Sequence, residues 1–152
     1  MNVMRMLALL SFTLIGALAP YIAAAALGET EVSVQADAEQ LRASIKSEDR
    51  VGYRVHEVQL PSGTLLREFV GPDGKVFAVA WRGPHPPNLR QALGRYFDVY
   101  VSAPNPQRAD HKHLQIQQGD LVVQASGHMR AFSGRAYLAG AVPGGVNLGD
   151  LH

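Results

Sequence analysis

The spacing of apolar residues changes character several times along the chain. Residues 1–26 are almost wholly apolar behind one early cation, Arg5, and end in small residues, with Ala24 and Ala26 in an A-x-A arrangement. That pattern predicts a cleaved secretory signal peptide. The competing reading is a retained membrane anchor, because the run approaches the roughly 20 residues of a spanning helix; Pro20 and the alanine-rich end favour cleavage. In SVQADAEQLRASI, Val34, Ala38, Leu41 and Ile45 recur at helical spacing behind Ser33, a suitable N-cap. KSEDRVG then reads as a polar connection.

YRVHEVQL, TLLREFV and KVFAVAW are rich in β-branched and aromatic residues and are separated by PSG and GPDG. They predict a three-strand antiparallel meander. In the third strand, unbroken alternation puts Phe77, Val79 and Trp81 on one face and Val76, Ala78 and Ala80 on the other. A strand apolar on both faces belongs inside a sheet covered on both sides. Beyond the three prolines of RGPHPPN, Asn88 and Gln91 form a variant capping box. Leu89, Leu93, Tyr96 and Tyr100, with Phe97 beside them, then mark a second amphipathic helix, interrupted only by Gly94. After a polar loop, HLQIQ, DLVVQAS and MRAFSGRAYL read as three shorter strands, and AGAVPGGVNLGDLH as an irregular, glycine-rich tail.

The expected class is therefore α+β, with two amphipathic helices packed on antiparallel β-meanders. VQLPSGTLL echoes LQIQQGDLV about 56 residues later, which raises an arrangement as two α-β-β-β halves. The expected organisation is a signal peptide at 1–26, one domain at 27–140 and a tail at 141–152.

Composition narrows the function classes. A chain of 152 residues shortened by its signal suits one domain. With no cysteine, packing alone must hold the fold in an oxidising compartment. The formal net charge is +1, and removing Arg5 brings it near neutral, which argues against a nucleic-acid binder. No later apolar run is long enough to span a bilayer.

Catalytic and metal-binding motifs are sparse. His111 and His113 lie two apart, and His128 would approach them in a meander, so these three are the metal candidates. The spacing matches no ligand pattern, and neither metal nor cofactor is expected. There is no G-x-S-x-G elbow; Ser62 sits in a turn, and Ser133 has no base near it in sequence. Acidic residues are dispersed in helix starts and turns, and no catalytic residue is assigned.

A binding surface is the better reading. Arg54, Arg67, Arg82, Arg130 and Arg135 interleave with Tyr53, Phe69, Trp81, Phe132 and Tyr137, a composition common in recognition patches. Within GHMRAFSGRAYL, Arg130 and Arg135 have opposite parity. A bulge at Ser133–Gly134 would restore phase. His128, Arg130, Phe132, Arg135 and Tyr137 would then face outward together, over Met129, Ala131, Ala136 and Leu138.

The strings VHEVQLPSGT, GKVFAVAW, NLRQALGRYFD and GHMRAFSGRAYL resemble a bacterial secreted family named domain of unknown function 2844, over nearly all of the mature chain. The resemblance implies export to the periplasm or the exterior, and it brings no catalytic residues with it. The leading expectation is a non-enzymatic envelope protein that binds a partner protein or a polysaccharide. The rival is a small periplasmic hydrolase or metal-dependent enzyme using the histidines of the second half.

Overall fold

The computed structural model describes residues 26–32, 44–104 and 113–152. Its frame is a seven-stranded sheet in the order β1-β2-β3-β4-β7-β6-β5, with every pairing antiparallel. The strands are β1 (Ser44–Arg50), β2 (Tyr53–Gln59), β3 (Leu65–Val70), β4 (Val76–Gly83), β5 (His113–Gln118), β6 (Leu121–His128) and β7 (Ala131–Leu138). Two meanders, β2-β3-β4 and β5-β6-β7, join through their last strands.

β4 is central, as its apolar run requires, and Val76 through Trp81 are all buried. Its facing differs from simple alternation. The β3·β4 register passes from Phe69↔Ala78 to Val70↔Val76, so Phe77 is an extra residue on β4. This bulge moves Phe77 to the side of Ala78 and Ala80, and returns Val76 to the side of Val79 and Trp81.

Each face has its own apolar cluster. On the first face, Val79, Trp81, Val123, Ala136 and Leu138 pack with Leu27 and Leu93. On the second, Phe69, Phe77, Ala78, Val122 and Tyr137 pack with Leu151. Tyr53, Phe69 and Phe77 meet there at ring-centroid separations of 6.0–6.3 Å, within the favourable aromatic range.

The first face is covered by the stretch expected to be the second helix. It is broken into α1 (Leu89–Leu93), a 3-10 turn (Gly94–Tyr96) and α2 (Phe97–Ser102). The Asn88 side chain accepts from the Gln91 N–H at 3.3 Å, so the predicted cap forms. Gly94 has φ +50, and a Cβ there would lie 2.4 Å from the Ala26 Cβ. The glycine therefore both breaks the helix and admits the N-terminal segment. Ala26 and Leu27 are buried, the Leu27 N–H donates to the Ala92 carbonyl at 3.1 Å, and Glu29 and Glu31 bond to the backbone beside the start of β4.

The second face is covered by the tail. Its 3-10 turns, Ala139–Ala141 and Leu148–Asp150, carry Val142, Val146 and Leu151 onto the second cluster. Arg135 Nη1 donates to the Leu148 carbonyl, and Arg67 Nη1 to the His152 carbonyl.

Two expectations change. The described residues are mostly β, with one broken helical stretch in place of two packed helices; 33–43 of the first predicted helix lie outside them. Ile45, assigned to that helix, sits in β1 opposite Val58, and Lys46–Arg50, read as a connection, are strand as well. β1 escaped notice because it is an edge strand with exposed charges and no alternating pattern, a common protection against edge-to-edge pairing.

Candidate functional site

Antiparallel pairing sets side chains side by side across a sheet. On the second face, at the margin of the tail, two rows of polar residues follow from the register. Arg82, Ser133, Ser126 and His113 are successive cross-strand partners on β4, β7, β6 and β5. Arg135, Gln124 and Gln115 form the next row. Together with Leu151 and His152 these rows line an open trough of about 520 Å³.

Some of the rows are braced internally. Arg135 Nε donates to Gln124 Oε1 at 2.8 Å, and the Ser126 and Ser133 hydroxyls are 3.1 Å apart. Arg82 is exposed, and its side chain has no hydrogen-bond partner among the described residues. Among the described residues no aspartate or glutamate lines the trough, and Arg82 and Arg135 are its permanent cations. Its chemistry is that of fixed donors, amides and hydroxyls facing water, suited to an anionic ligand with many oxygens.

The predicted binding strip does not assemble. β7 pairs in unbroken register with both β4 and β6, so Ser133–Gly134 is not a bulge. Gly134 serves close packing instead: a Cβ there would lie 2.3 Å from Trp81 Cζ2. Without the bulge, Phe132 shares the first face with Ala136 and Leu138, and packs over Gly127. Arg130 lies outside the strand, in the β6–β7 turn at φ +63, and Met129 beside it is exposed. His128 is exposed at the end of β6 opposite Ala131, which is itself exposed. Tyr137 is buried in the second cluster. Of the five residues, Arg135 alone lines the trough, and it also anchors the tail.

The metal candidates separate too. His113 lines the trough, His128 does not, and His111 lies outside the described residues. No group of three or more metal-ligating side chains occurs among the described residues. Among the other arginines considered, Arg67 is held by Glu57 at 2.8 Å and Arg54 by Asp49 and Glu31.

Sequence reasoning weighed Ser133 only as a nucleophile and passed over Gln115, Gln124 and Ser126 as site residues. Their signal was the polar half of the alternation in HLQIQ and DLVVQAS. The strand order that sets them beside Arg82 is not written locally.

Neither a curated protein nor a solved structure matches the chain. A family model does match, over residues 23–151. The chain belongs to the family described as "Protein of unknown function (DUF2844)".

Proposed function

We propose that the chain is an exported binding protein whose second-face trough takes a carboxylate-bearing polysaccharide of the cell envelope. The observation that carries this reading is the charge of the trough: two arginines among amide and hydroxyl side chains, with no lining aspartate or glutamate among the described residues. Sugar hydroxyls and carboxylates match such a surface. A protein partner would call for exposed aromatic anchors, and Trp81, Tyr137 and Phe69 are buried. The hydrolase alternative built on the histidines of the second half loses support, because among the described residues His113 meets no carboxylate in the trough lining. The N-terminal apolar run with its A-x-A end supports export.

Titration calorimetry with alginate, a polyuronate, against neutral dextran tests the proposal. Alginate should bind and dextran should not. Arg82→Ala should weaken alginate binding by about tenfold or more, since a charge-assisted hydrogen bond contributes roughly 1.5–3 kcal/mol. The melting temperature should stay unchanged. Equal binding of both polymers, or an unaltered affinity in Arg82→Ala, would overturn the reading.

A further inference from the structure

A second polar cluster lies on the other face of the sheet, away from the trough. Ser47 and His56 are cross-strand partners on β1 and β2. The Ser47 hydroxyl lies 2.7 Å from His56 Nδ1, and His56 Nε2 lies 3.1 Å from Glu31 Oε1. His56 is 1% exposed, while Ser47 is open to solvent. Glu31 arrives from the N-terminal segment, whose backbone is tied to the β3–β4 turn and the start of β4. It also accepts from Arg54 Nη1 at 2.7 Å.

Hydrogen-bond chemistry fixes the imidazole. An ionised carboxylate only accepts, so the Nε2 that faces Glu31 must carry the proton. In the neutral ring Nδ1 is then bare and accepts from the Ser47 hydroxyl. A nucleophile, a base within hydrogen-bond reach and an orienting acid in line are the recognisable parts of an activated serine, irrespective of fold or chain order. Ser47, Glu31, Asp49, Arg54 and His56 line a surface hollow of about 260 Å³, below the roughly 300 Å³ at which drug-sized pockets begin.

We infer that Ser47, His56 and Glu31 form a serine-hydrolase relay acting on small carboxylic esters of acetyl size. Ser47 Oγ bonds to the ester carbonyl carbon as its proton passes to His56 Nδ1. The imidazolium is held by Glu31, and the tetrahedral oxyanion forms beside the Arg54 guanidinium that lines the hollow. The carbon–alkoxide bond breaks, the alcohol leaves with the proton from His56, and an acyl-serine remains. Water then attacks that carbonyl, giving its proton to His56, and the serine oxygen departs and recovers the proton. The products are the carboxylic acid, the alcohol and the free enzyme.

The test uses the mature protein with a fluorophosphonate probe and p-nitrophenyl acetate. The probe should lose fluoride and form a phosphonyl adduct on the Ser47 peptide, read by mass spectrometry. Ser47→Ala should remove the adduct and lower ester turnover by at least about 100-fold. Ser47 is exposed, so this variant should melt as the wild type does, whereas His56 is buried and its replacement would also disturb packing. Glu31→Gln should slow labelling by about tenfold or more while leaving Ser47 the labelled residue. Ser62→Ala, in the β2–β3 turn, should label and turn over normally. An absence of adduct on Ser47 in the folded wild type, or unchanged turnover in Ser47→Ala, would overturn the inference.

Discussion

Glu31 illustrates how one carboxylate can serve two neighbours. The hydrogen bond from Arg54 is the chief cause holding its carboxyl below the usual glutamate range; burial opposes the shift, and the charges of Arg54 and His56 add to it. Asp49, fully exposed on the edge strand, is depressed first by its own hydrogen bond from Arg54. A depressed carboxyl contributes stability that is complete above its unfolded value and is lost as pH falls through the folded one. The contribution of Glu31 should therefore be full above about pH 4.3 and fade below it. Thermal melting between roughly pH 5 and pH 2 should show a steeper loss for the wild type than for Glu31→Gln. Parallel curves would refute that linkage. At the same scale, Gly134 shows why one residue misled the sequence reading. A glycine inside a strand signals either a bulge or a close approach, and only the Trp81 ring above it decides between them.

At the scale of elements, legibility followed burial. β2, β3 and β4 were readable because β-branched and aromatic residues alternate between clear turns. β1 was not, since an exposed edge strand is selected for charge and its pairing with β2 leaves no periodic trace. The tail carries few apolar residues at irregular spacing, yet Leu151 is fully buried and the tail closes the second face. Leu151→Ala should cost about 2–5 kcal/mol. Urea denaturation should show this as a lower midpoint at unchanged slope. A loss below about 0.5 kcal/mol, the scale of an ordinary surface substitution, would show that the tail does not hold that face closed. The predicted binding strip failed for a related reason: five residues in one segment share a surface only if the local register permits, and β7 pairs without a slip.

For the whole molecule, the echo between its halves is informative because it fails as symmetry. The offset of about 56 residues lays Gly63 on Gly119, and both are turn glycines with positive φ. The same offset lays Trp81 on Tyr137, which belong to clusters on opposite faces. Partners across β4 and β7 differ by odd numbers, so an even offset exchanges the two faces there, and the shared spacing reflects hairpins of similar reach and not equivalent environments.

The burial of Ala26 and Leu27 also sets an order of events in time. If the chain is exported as proposed, the bond to be cut lies between these two residues, and both are enclosed once the sheet has formed. Processing must then come first, while the segment is still extended, and folding second. Signal peptidase should cut the unfolded precursor quickly and the refolded precursor slowly, as gel analysis of timed digests would reveal; equal rates would refute the sequence of steps. Leu27 lies between Leu93 and the sheet, so closure of the core would itself shield that bond from any later cut.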